Sequence, residues 1–218
     1  MYLVNTGKAV AGGGGGNLFS LIAHAFAAAA SSPATSAIDT TGANLLVVAV
    51  EQFGNLLGSL ADSKSNTWTG LTAQTQAADA YVSLFYCASP TVGSGHTFTY
   101  FGANIFGGIA VQAWSGANAA PFDVENGAGA TSTTISTGSV TPSVSNSLII
   151  TGLCGSTGSH TYAIDSGFTI TDSADYSAGT DLGIAMAYLK QGSATAVNPT
   201  WSWVTSSNAA AAIAVFKP

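Results

Sequence analysis

The feature that most restricts what this chain can fold into is an internal repeat at a nearly constant offset. Asn44-Leu45-Leu46-Val47-Val48 returns as Asn146-Ser147-Leu148-Ile149-Ile150, Asp62-Ser63 as Asp165-Ser166, and Thr97-Phe98-Thr99-Tyr100 as Thr200-Trp201-Ser202-Trp203. Leu45 and Leu148, Asp62 and Asp165, and Thr97 and Thr200 each stand 103 residues apart, and Ile109-Ala110-Val111 returns as Ile213-Ala214-Val215 at 104. Self-similarity at a steady offset makes each copy one packing unit in need of a partner face. The repeated phrases are β-branched and aromatic runs between turn signals, so the unit is a β unit. The repeat restricts the fold and carries no chemistry.

The first copy spans residues 18–116 and the second 122–217, within a single internally duplicated β-sandwich over 18–218. Strands are expected near 19–26, 36–41, 44–52, 67–75, 80–89, 96–102 and 106–115, then near 131–140, 146–153, 167–172, 181–190, 199–204 and 209–216. Short strands without helical periodicity predict an all-β, jelly-roll-like β-sandwich built from two pseudo-repeats of about 100 residues. Two tandem immunoglobulin-like sandwiches are the alternative. The single sandwich is preferred because Ala117-Asn118-Ala119-Ala120-Pro121 leaves the halves little room to separate. Ala209 to Ala212 has helix propensity, but its counterpart at Phe106 to Ile109 reads as a strand entry, so a strand is expected.

Residues 1–17 read as a flexible arm, because the uninterrupted Gly12, Gly13, Gly14, Gly15 and Gly16 cannot hold a regular element against the backbone entropy cost. A tether to a partner is the expected use; no Lys-Ser/Thr follows to make a phosphate loop. The apolar run from Leu18 to Ala30 has the look of a signal peptide, but His24 interrupts it and a glycine run separates it from Lys8. Phe19 also matches Phe122 at the offset of 103, which assigns the segment to the first copy. No run reaches the length of a spanning helix without polar breaks.

Charge excludes several partners. Charged residues make up 6% of the chain, against roughly 25% in an ordinary soluble domain. There is no arginine, and Lys8, Lys64, Lys190 and Lys217 face ten acids for a net charge of −6. Scattered lysines cannot neutralise phosphates, so neither nucleic acid nor an anionic membrane is expected as partner. A neutral surface rich in hydroxyls and amides suits contact with other protein copies or with sugars.

The residues that could carry chemistry are few. His24, His96 and His160 lie in no nucleophile motif, and His96 reads as a turn-capping or interface residue. Asp172, Asp175 and Asp181 form the densest acidic patch, a weak candidate for Ca²⁺ or for a glycosidase carboxylate pair. Without the alternating-aspartate grammar of a calcium loop, a solvated turn is the preferred reading. Asp62-Ser63-Lys64-Ser65-Asn66 reads as a side-chain-bonded turn, since Lys64 would repel a cation. Trp201 and Trp203 share one face of a strand, as Phe98 and Tyr100 do in the first copy. That face reads first as core, with sugar platform or subunit interface as alternatives. Cys87 and Cys154 end strand-like runs and read as buried thiols, with a disulfide between the halves still open. No cofactor is expected.

Several stretches together resemble a β-sandwich domain of tailed-phage virion proteins and related bacterial open reading frames. They are Ile38 to Val48, Asp62 to Thr69, Phe85 to Phe98, Asp165 to Ile170 and Asn198 to Trp201, leaving the arm outside the likeness. The resemblance implies a non-enzymatic virion component, such as a capsid decoration, head-fibre or tail-fibre subunit. Its partners would be other virion proteins and itself as a homo-oligomer, and no catalytic residues are carried over. The alternative is a secreted carbohydrate-binding adhesin that meets surface glycans.

Overall fold

A computed structural model describes residues 18–29, 31–54, 58–101, 107–156, 161–176 and 182–218. The described chain is all-β and antiparallel, with no helix. The first copy supplies β1 (Ser20–Ala29), β2 (Leu45–Gln52), β3 (Ser59–Asp62), β4 (Thr69–Gly70), β5 (Gln74–Gln76), β6 (Ala80–Ala88), β7 (Phe98–Phe101) and β8 (Gly107–Ser115). The second supplies β9 (Phe122–Ser136), β10 (Ser147–Gly155), β11 (Ala163–Ile164), β12 (Thr169–Tyr176), β13 (Leu182–Gln191) and β14 (Thr200–Phe216).

The duplication is visible in the topology. One large sheet runs β1-β8-β2-β6-β4, with β5 also on β6; the other runs β9-β14-β10-β13-β12, with β11 also on β14. The first and last strands of each copy are therefore neighbours, the jelly-roll-like order. The β3–β7 pair, extended by bridges at Ala34–Thr99 and Ile38–His96, forms a second layer over the first sheet. The start of β14, with β11 and the end of β9, does the same for the second.

The two large sheets, one from each copy, meet face to face, so three apolar layers run through the molecule. The middle layer joins Leu45, Val47, Ala49 and Trp114 to Leu148, Ile150, Met186 and Phe216. Leu46, Val48 and Val50 point the other way, onto Phe98 and Tyr100; Ile149 and Leu153 pack with Trp201 and Trp203. This is the period of 2 of a strand, with apolar neighbours on both faces. Every residue of β2 and β10 is buried as a result, which explains why both read as continuous apolar runs.

The repeat register is less uniform than the sequence suggests. Val111 and Val215 are equivalent, and they pair with Ala25 and Val124. The first strands thus correspond at 99 residues rather than 103, which corrects the match of Phe19 to Phe122. Loop length sets sequence offset, whereas burial of one face sets register. The expected strand at 36–41 contributes only isolated bridges, and 67–75 divides into β4 and β5. The second copy's first strand begins at Phe122, and 199–204 joins 209–216 in one long β14, irregular between Ser202 and Ser207. β3 and β11 are too short to carry a periodic signal and were not expected.

Candidate functional site

The most elaborate polar cluster lies in the first copy. Asp62 closes β3, and its Oδ1 accepts from the Lys64 backbone N–H at 2.7 Å, Asn66 Nδ2 at 3.3 Å and His96 Nε2 at 3.1 Å. Its Oδ2 accepts from the Trp68 indole N–H at 2.9 Å. On the far side of the imidazole, His96 Nδ1 lies 2.9 Å from Thr40 Oγ1, which also accepts from the Gly93 N–H at 3.1 Å. The ring stacks on Phe98 at 4.2 Å. A short polar turn folds this way because one carboxylate can satisfy several donors at once.

Hydroxyl, imidazole and carboxylate stand here in the order of a nucleophile, base and orienting acid. Burial decides against that use. Thr40 and His96 are 0% exposed, and so is the Asp62 side chain. No substrate atom can reach the hydroxyl, so the cluster ties three loops together, those holding Thr40, Asn66 and Gly93. The second copy lacks it: Asp165 accepts the Thr200 N–H at 2.8 Å, and Pro199 stands where the repeat would place His96.

Of the three acids of the patch, only Asp172 has its side chain among the described residues. Asp172 lies on β12 with Oδ1 3.1 Å from His24 Nδ1 of β1; Asp175 pairs through its backbone with Gly183; Asp181 lies outside the described residues. Among the described residues, no group of three His, Cys, Asp or Glu is placed to hold a metal ion. The arm with Gly12 to Gly16 and His160 also lie outside the described residues.

Three of the four tryptophans are interior, and Trp68 is half-buried. Trp114 and Trp201 are 0% exposed and Trp203 6%, and the Trp201 indole donates to Thr151 Oγ1 at 3.1 Å. Their rings serve the apolar layers and present no platform to a sugar. Both cysteines are free and buried, in different layers, and burial pushes both thiols up.

Comparison with protein-family models, curated proteins and solved structures found no match.

Three features escaped sequence reasoning. A cavity of about 470 Å³ opens where the copies join, lined by Thr67, Thr69, Tyr86, Pro121, Phe122 and Lys217. Phe101 and Val204, equivalent at the offset of 103, are exposed at 50% and 86%. Glu51, at the end of an apolar strand, is 1% exposed, and burial pushes its carboxyl well above the ordinary range. Only the last had a sequence signal: a lone acid ending an apolar run in a chain with ten acids.

Proposed function

We propose that the protein is a non-enzymatic structural subunit of a phage-like particle, acting through multivalent contact with other virion proteins and with its own copies. The observation that carries this reading is the pair Phe101 and Val204. Each copy turns the aromatic residues just before this position inward, Phe98 and Tyr100 in one, Trp201 and Trp203 in the other. Each then exposes an apolar side chain at the same place. Two matched apolar contacts on one chain bind by avidity, and a surface poor in charge lets neighbouring copies approach. The burial of His96, the Asp62 side chain, Trp114, Trp201 and Trp203 supports the non-enzymatic reading. The glycine-rich arm, on its sequence, supplies a further tether.

Phe101→Ser with Val204→Ser is the test. Exposed substitutions of this kind shift stability by about 0.5 kcal/mol or less, so the thermal midpoint should hold. Light scattering on the full chain should show the wild-type oligomer weakened by each single change and lost in the double variant. A wild-type chain that stays monomeric at every concentration and fails to bind purified particles would end the proposal.

The cavity at the junction favours a second reading, a glycan-binding module. Tyr86 and Phe122 stack there at 5.8 Å beside two threonine hydroxyls and the Lys217 ammonium. Its volume suits a small ligand. Titration calorimetry with glucuronic acid and with glucose should show binding that favours the uronate and weakens in Lys217→Gln. Equal binding by the variant, or no heat from either sugar, would dismiss it.

A further inference from the structure

β2 carries an ionisable group into the layer between the copies. Glu51 continues the inward face of Leu45, Val47 and Ala49, and neither carboxyl oxygen has a hydrogen-bond partner among the described residues. Its Oε1 rests over Gly152 of β10, where an added Cβ would lie 3.4 Å away. The groups that face it come from every neighbouring element. Asp172 of β12 belongs to the other copy, and its buried Oδ2 is also without a partner among the described residues, while His24 of β1 takes Oδ1 on the solvent side. Cys154 of β10 donates its thiol to the Gln52 carbonyl, and Tyr81 of β6 is paired opposite Gln52. Lys190 stands at the far end of the same seam, opposite Leu148, with its ammonium on the Phe19 carbonyl. No cation among the described residues therefore compensates a charge on Glu51.

A lone carboxylate is strongly disfavoured in such a place, whereas the neutral acid is tolerated. Burial first, and the Asp172 charge second, favour the protonated form. We propose that Glu51 is a proton-operated latch on the seam between the two copies: with its proton on, it fits the apolar layer, and with the proton off, it repels Asp172 and opens this end of the seam. The sign follows from proton binding. The folded chain holds this proton to higher pH than the unfolded chain does. Its stabilising effect is therefore full below the ordinary carboxyl range and is lost as pH rises through the folded value.

Cys154 reports the opening, because it is 0% exposed and sits in the same layer. Iodoacetamide alkylation of the full chain is followed by mass spectrometry at pH 5, 7 and 8.5 in wild type and Glu51→Gln. Comparison at each pH removes the thiolate dependence the two proteins share. The direct effect of a Glu51 charge, which raises the Cys154 thiol, would slow the wild type and so runs against the expected result. Cys87, in the outer layer of the first copy, is the internal reference. At pH 5 the two proteins should react alike. At pH 8.5 wild-type Cys154 should react about tenfold faster or more, one pH unit of linkage being a factor of ten. Asp172→Asn, which keeps Glu51 in place, should fall between them, and it stands in if Glu51→Gln does not fold. Equal Cys154 rates in wild type and variants at pH 8.5, or an equal rise at Cys87, would overturn the proposal.

Discussion

Asp62→Ala is expected to destabilise the protein by about 3–5 kcal/mol, because it leaves several donors without their acceptor, at about 1–3 kcal/mol for each one that is buried. The loss has named components. His96 Nε2, the Trp68 indole and the Lys64 N–H lose their acceptor, and the Asn66 amide keeps only the Thr91 carbonyl. The cluster also joins segments far apart in the chain, so its loss frees the loops around Thr40 and Gly93. Urea unfolding of the variant should show a lower midpoint with an unchanged slope. Asp165→Ala is the internal control. Its carboxylate is exposed and accepts chiefly the Thr200 N–H and the Ser166 hydroxyl, so about 0.5–1.5 kcal/mol is expected. Equal effects at Asp62 and Asp165 would show that the histidine contributes nothing.

Trp114→Ala should cost about as much, roughly 3–5 kcal/mol, through a different mechanism. Trp114 fills the middle layer, edge-on to Phe19 at 6.5 Å and to Tyr188 of the other copy at 4.8 Å. Truncation leaves a cavity at the seam and strips Gln112 Oε1 of its indole donor. Gln112 in turn donates to Thr171 of the second copy at 2.8 Å, so the damage crosses the seam. The fluorescence of Trp201 and Trp203, which report on the second copy, should therefore shift to lower urea together with that of Trp68. A second-copy transition left at the wild-type midpoint would mean that the copies are stable independently. Trp114→Phe should recover part of the loss, since it keeps ring volume but not the indole donor.

Much of the architecture is legible along the chain, and the reasons can be seen in particular elements. β2 and β10 announce themselves because strand side chains alternate and both faces are covered, so the apolar run is unbroken. Ala209 to Ala212 pairs as strand despite its helix propensity, because β9 and β10 flank it. Small residues at Gly127 and Gly129 had no such reading. A Cβ on Gly129 would collide with the Thr75 carbonyl, so these glycines let β5 of one copy lie against β9 of the other. That requirement exists only once the copies meet.

The site residues divide along the same line. Asp62 with its turn is local, and the sequence alone marks it as a side-chain-bonded turn. That His96 and Thr40 would reach the same carboxylate depends on loops brought together by β2, β3 and β7. Glu51 against Asp172 is more distant still, since it needs two copies packed sheet to sheet. By itself the sequence determined the all-β class, the duplication and the shared inward face of Phe98 with Tyr100 and of Trp201 with Trp203, because those follow from a period of 2 and from turn chemistry. Only the tertiary structure decided the register of the first strands, the three-layer stacking and the partners of each buried polar group. Those depend on contacts between residues far apart in the chain, where burial and hydrogen bonding select the pairing and sequence spacing does not.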